Sequence, residues 1–187
     1  MWKLRDIVLM VILAIICGLI YEVWGLLYNV LNFSSAAGQA AMNGVWYIAG
    51  ILVPIIIRRP GAALLGEVLA SIVEMATGSS WGLANVLAGV LQGIGAEIIF
   101  AIFRYRVYNM TLAMLAGMLS FVLDLPQWFL EYSGGGFGPV NQTIYIVVSL
   151  ISGAILGGWL SQVMASALNR TGVLRNFEIG RQARAVK

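Results

Sequence analysis

Residues 43–70 read NGVWYIAGILVPIIIRRPGAALLGEVLA, two apolar runs that meet at Arg58-Arg59-Pro60. So little chain joins the runs that they form a tight helical hairpin, with Pro60 suited to the first turn of the second helix. Four further apolar segments flank the pair, at about residues 6–28, 83–103, 110–131 and 142–168. With 43–57 and 61–77 they make six, each within or close to the ~17–25 residues that a helix needs to cross the hydrocarbon. Hydrophobic side chains make up 60% of the 187 residues and charged ones 10%, with a mean hydropathy of +0.90. That is more apolar surface than one soluble core can bury, so the bilayer must be the solvent. The expected fold is an all-α membrane protein, a bundle of six transmembrane helices in one domain spanning 1–187. A short basic tail at about 169–187 is expected to lie against anionic lipid or a partner.

The charges orient the bundle. Its eleven basic residues are Lys3 and Arg5, Arg58 and Arg59, Arg104 and Arg106, and then Arg170, Arg175, Arg181, Arg184 and Lys187. The connections at 29–42, 78–82 and 132–141 carry none. Lys and Arg near span ends stay on the cytoplasmic side, so the pattern predicts an even number of spans with both termini cytoplasmic. The opening Met1-Trp2-Lys3-Leu4-Arg5-Asp6 has the charges of a signal peptide, but no A-x-A-type site follows, and it reads as an uncleaved first span. A pI near 9.2 does not imply nucleic acid, because the bases sit in small clusters between apolar runs. Cys17 is the single cysteine and histidine is absent. Both facts argue against a metalloenzyme or a triad hydrolase, and rank any intramembrane enzyme below a binding or transport role.

Six carboxylates fall within or at the edge of the spans: Glu22, Glu67, Glu74, Glu97, Asp124 and Glu131. Each costs about 2.5–3.5 kcal/mol to insert and needs a partner, a wet cavity or a cationic ligand. Glu67 and Glu97 fall in the inner half, where buried pairs with Arg58, Arg59, Arg104 or Arg106 are expected. The outer half offers no base to Glu22, Glu74, Asp124 or Glu131, and Glu131 reads as surface. Glu67, Ser71 and Glu74 recur at i, i+4 and i+7, while Asn85, Gly89, Gln92 and Ala96 form a second stripe on the next span. Facing one another, the stripes enclose a cavity or serve helix-to-helix hydrogen bonding. Near the outer side stand Tyr21, Trp24, Trp46, Tyr47, Trp81, Trp128 and Tyr132. Trp24 and Tyr132 read as interfacial belt, like Trp2 at the opposite face. Asp124-Leu125-Pro126-Gln127-Trp128 gathers an acid, an amide and an indole around a proline, a set suited to a flat, cationic, hydrogen-bonding ligand. The glycine-rich stretch from Ser133 to Pro139 lacks a Gly-Lys-Ser/Thr sequence, so it is no ATP site. It reads as a flap over an outward-facing pocket or as an ordinary connection. Small pairs at Ala14/Gly18, Gly89/Gly93 and Gly153/Gly157 permit close helix contact.

Six short spans, inner termini, no ATPase motif and the stretch from Asn43 through Arg58-Arg59-Pro60-Gly61 to Ala70 resemble an S component of an energy-coupling factor (ECF) vitamin transporter, most closely the YkoE family. The resemblance implies a membrane-embedded binding subunit, not an enzyme, for thiamin or its hydroxymethylpyrimidine precursor. It implies a ligand site near the outer face. The implied partners are a transmembrane coupling (T) subunit and cytoplasmic ATPases, with ATP hydrolysed by those partners and no cofactor in this chain. On that reading Glu74 and Asp124 contact the ligand's charge or aminopyrimidine, and Trp46, Trp81 and Trp128 stack. Asn85, Gln92, Gln127 and Asn141 hydrogen-bond, and Ala14 and Gly18 dock the T subunit. The alternative is an autonomous proton-coupled carrier of a small cationic solute, with Glu67, Glu74, Glu97 and Asp124 as its relay.

Overall fold

The computed structural model describes residues 2–31, 35–131 and 134–185, so Tyr132, Ser133 and Lys187 lie outside the described residues. All the described elements are helical. In chain order they are α1 (Leu4–Leu31), α2 (Ala36–Met42), a 3-10 turn (Asn43–Tyr47), α3 (Ile48–Ile57), α4 (Ala62–Ala76), α5 (Leu83–Ile102) and α6 (Met110–Leu130). A short 3-10 turn (Gly134–Gly136), α7 (Pro139–Ser152), a π-helical stretch (Gly153–Trp159), α8 (Leu160–Arg170) and α9 (Glu178–Ala185) follow. Among the described residues, five rods are long and apolar enough to cross a membrane: Leu4–Leu31, Ala36–Ile57, Leu83–Ile102, Met110–Leu130 and Pro139–Arg170. The remaining segment, α4, has 15 residues, short of the ~20 that a full crossing takes.

The connection expected at 29–42 is partly helix. Ser35 accepts a hydrogen bond from Gly38 N at 3.1 Å, capping a stretch rich in alanine, the best helix former, and α2 then packs against α7. The hairpin at Arg58-Arg59-Pro60 is present, but Pro60 precedes the new helix rather than opening it. Arg58 ends α3 in a left-handed conformation (φ 56°), Gly61 (φ 82°) turns the chain, and α4 begins at Ala62.

α3 is the axis of the bundle. All ten of its residues are buried, and α1, α4, α5, α6, α8 and α9 all pack against it. Close approach elsewhere depends on absent side chains. A Cβ on Gly117 would stand 2.0 Å from the Gly153 carbonyl oxygen, and one on Gly18 would stand 2.5 Å from the Ala70 carbonyl oxygen. This last contact corrects the expectation for Ala14 and Gly18: both are buried inside the bundle, and Gly18 lets α1 lie directly on α4. The outward face of α1 is formed instead by Ile12, Ile15, Ile16 and Leu19. Beyond α8 the chain turns back onto the bundle, burying Leu174 and Ile179, with α9 against α3.

The expected arginine partners of the inner carboxylates are also corrected. Glu97 accepts from Gly61 N (2.6 Å), Ala63 N (2.9 Å), Leu64 N (3.2 Å) and the Tyr105 hydroxyl (2.7 Å). It therefore caps the start of α4, where unpaired amides and the helix dipole favour an anion. Arg5 and Arg59 pair with the buried Asp6 at 3.7 and 3.6 Å, and the Arg58 guanidinium lies 4.8 Å from the centre of the Tyr108 ring. Glu97→Ala strands those amides and is expected to lower unfolding stability in detergent by about 2 kcal/mol or more. Glu97→Gln, which keeps one acceptor oxygen, should lose clearly less in the same thermal unfolding measurement.

Candidate ligand-binding cavity

At the end of the bundle remote from the Arg58-Arg59 turn, the helices part around a hollow of about 750 Å³, counted to its open mouth. The two polar stripes expected on α4 and α5 do face one another across it: Glu67, Ser71 and Glu74 from one side, Asn85 and Gln92 from the other. Asp124 and Trp128 enter from α6, Tyr145 from α7, Tyr21 and Tyr28 from α1, and Gln39, Asn43, Trp46 and Tyr47 from the second rod and its 3-10 turn. Among the described residues, no Lys or Arg lines the hollow.

Each carboxylate is held on one side. Glu67, 1% exposed, accepts through Oε2 from the Tyr21 hydroxyl (3.2 Å) and from Gly50 N. Tyr21 in turn accepts from Ala49 N at 2.8 Å. Glu67 therefore anchors the first turn of α3 much as Glu97 anchors α4. Glu74, 2% exposed, accepts from the Trp46 indole N–H at 2.9 Å, and Asp124 Oδ2 accepts from Gln92 Nε2 at 3.2 Å. The other oxygens of two of these groups, Glu67 Oε1 and Asp124 Oδ1, are buried with no hydrogen-bond partner among the described residues.

Aromatic rings form two walls. Tyr28, Trp46 and Trp81 meet edge to face, with centroids 5.7 to 5.9 Å apart. Across from them Trp128 lies parallel to Tyr145 at 3.9 Å and 11°, and near-parallel to Phe137 at 6.0 Å and 12°. The glycine-rich connection fits against this wall: a Cβ on Gly134 would meet the Trp128 ring at 2.4 Å, and Gln142 Nε2 donates to the Gly134 carbonyl at 3.1 Å.

Of the residues singled out from sequence, the hollow gathers Glu74, Asp124, Trp46, Trp81, Trp128, Asn85 and Gln92. Gln127 and Asn141 are not among its lining. Gln127 lies one residue before Trp128 on α6 and donates instead to the Ala84 carbonyl (2.9 Å) and to Glu131 (2.7 Å), while Asn141 is exposed near the start of α7. The hollow also takes in Tyr28, Gln39, Asn43 and Tyr145, to which the sequence alone assigns no ligand role. Tyr145, Ser149 and Ser152 stand at i, i+4 and i+7, a stripe legible at helical spacing. Its partner is not legible: Asn43 donates to the Tyr145 hydroxyl (2.7 Å) and to Ser149 Oγ (2.9 Å) from more than a hundred residues away.

Residues 5–123 match a family described as "ABC-type cobalt transport system, permease component". The chain is 32% identical over 182 residues to the "Putative HMP/thiamine permease protein YkoE" of Bacillus subtilis (strain 168), covering 97% of this chain and 92% of that protein. Its fold matches, with a TM-score of 0.95 and 32% identity, a solved structure described as "Crystal structure of an S-component of ECF transporter", covering 99% of this chain and 94% of that one. Three indoles line the cavity, so a flat ligand entering it is expected to change the intrinsic tryptophan fluorescence of the detergent-purified protein. The change should shrink in Trp81→Phe and in Trp128→Phe.

Proposed function

The chain belongs to the YkoE-type S components of ECF transporters, and from that footing we propose that its hollow captures thiamin or the hydroxymethylpyrimidine precursor at the extracellular side of a six-span bundle. Both termini are cytoplasmic in this reading, since the basic clusters at Lys3/Arg5, Arg58/Arg59, Arg104/Arg106 and Arg170 flank the opposite ends of the helices. α4 counts as the short sixth span, tilted or met by a thinned bilayer. Its relatives are transport components rather than enzymes. A T subunit and cytoplasmic ATPases supply the energy in this scheme, and the chain itself performs no chemistry.

One observation carries the ligand class: three carboxylates and two aromatic walls enclose a hollow with no basic residue in its lining among the described residues. An aromatic cation satisfies all of them, its charge held by Glu74 and by ring faces, and its heteroatoms met by Asn85 and Gln92. A cobalt ion suits the donors less well. The sequence has no histidine, and no three of Cys, Asp and Glu cluster closely enough to hold a metal among the described residues. The proton-coupled alternative loses its inner relay member, because Glu97 is taken up by three backbone amides and Tyr105 at the far end of α4.

Calorimetry on the detergent-purified chain tests the assignment. Thiamin should bind, and Trp128→Ala and Glu74→Gln should each weaken it about tenfold or more, or about 1.4 kcal/mol. Unchanged affinity in both variants would remove the site. Liposomes holding this chain alone should bind thiamin without accumulating it under an imposed pH gradient, whereas accumulation would favour the carrier.

A further inference from the structure

The chain beyond α8 buries Leu174 and Ile179 against the bundle, and Phe177 N donates to the Leu174 carbonyl at 2.9 Å. That turn sets the half-buried Phe177 beside the start of α1, where an open groove of about 590 Å³ is lined by Leu4, Arg5, Val8, Leu9, Ile12 and Phe177. The mouth of the groove is basic. Arg5 meets Asp6 through Nε at 3.7 Å, longer than a hydrogen bond, and its side chain is 36% exposed. Arg59 reaches the same carboxylate at 3.6 Å, and Lys3 is exposed two residues before Arg5. Three bases therefore stand against one buried acid, and no Asp or Glu lines the groove among the described residues. Below the mouth the lining is apolar. Leu4, Val8 and Ile12 are all exposed and recur at i, i+4 and i+8, a row about 12 Å long down α1 that exposed Ile15 and Leu19 extend.

We propose that this groove seats an anionic phospholipid of the leaflet beside the basic rim, its phosphate held by Arg5 and Lys3 and one acyl chain laid along Leu4, Val8 and Ile12 against Phe177. The order of groups is that of the lipid itself, charge at the membrane surface and hydrocarbon below it, and α1 runs from the one layer into the other. Basic pockets at the rim of a helical bundle suit anionic headgroups for this reason. An extended peptide in the same place would leave its N–H and C=O groups unpaired against leucine, valine, isoleucine and phenylalanine, a cost that an acyl chain does not carry. A zwitterionic lipid brings its own ammonium to the three bases and gains less from them. The seated molecule bridges α1 and the returning chain, which touch the lipid from opposite sides.

Native mass spectrometry of the full chain, purified in detergent and mixed with equal amounts of phosphatidylglycerol and phosphatidylcholine of the same acyl chains, reads the seat directly. Phosphatidylglycerol should stay bound in preference to phosphatidylcholine by at least about tenfold, each base contributing about fivefold. Arg5→Gln should cut that preference about fivefold, whereas Arg106→Gln, at an exposed base of another cluster, should leave it unchanged. Val8→Trp fills the groove without altering charge and should remove the bound lipid. Inorganic phosphate in excess should not displace it, because a bare anion has nothing to lay on the apolar row. A preference near one, an equal loss in Arg5→Gln and Arg106→Gln, lipid retained in Val8→Trp, or displacement by phosphate overturns the proposal. If Arg5→Gln fails to fold, Phe177→Ala takes its place beside Val8→Trp: lipid weakened in both supports the seat, and lipid retained in either overturns it. None of these outcomes bears on the vitamin assignment, which concerns the other end of the bundle.

Discussion

A charged group inside a bilayer protein must be met by dipoles when no counter-ion is at hand, and here two glutamates are met by the starts of helices. Glu67 takes Gly50 N and the Tyr21 hydroxyl, tying α1, α3 and α4 together at one carboxylate. Glu97 takes the first amides of α4 and ties in α5 and the Tyr105 loop. Unpaired N–H groups and acids off the basic rim are each unfavourable in hydrocarbon, and joining them removes both costs. Because Glu67 is spent on architecture through only one of its oxygens, the same joint that fixes α3 also presents an acceptor to the hollow.

The sequence makes the general plan legible because the bilayer imposes it. Span positions follow from length and hydropathy, and the basic clusters at 58–59 and 104–106 lie where helices end. The stripe at Glu67, Ser71 and Glu74 is readable for the same reason, since helical spacing alone places the three on one face. What sequence did not reveal are partners set by packing across distant helices. Charge proximity along the chain assigns Glu97 to arginine, yet the amides of a helix start lie closer and in better alignment. Spacing gives Ala14 and Gly18 a shared face, but not which neighbour that face meets, and it is α4 rather than an outside partner. Gln127 looked equivalent to its neighbours Asp124 and Trp128, but its place on the helix turns it toward the Ala84 carbonyl.

The division of polar groups follows the bundle axis. At one end arginines pair with Asp6 or lie over Tyr108, and around the hollow at the other end the polar groups among the described residues are neutral amides, hydroxyls, indoles and acids. A guest of positive charge is attracted to the second end and repelled by the first, so the field orders the approach before any contact is made.

The brevity of α4 bears on that approach. Fifteen residues rise only about 22 Å, several ångströms less than the ~30 Å hydrocarbon layer. In the six-span bundle proposed above, lipid tails bend or headgroups sink around so truncated a segment, leaving a dimple beside the taller neighbouring rods. On that reading water follows the headgroups down toward Glu74, and a hydrated solute need not shed its whole shell at the membrane surface before reaching its first carboxylate.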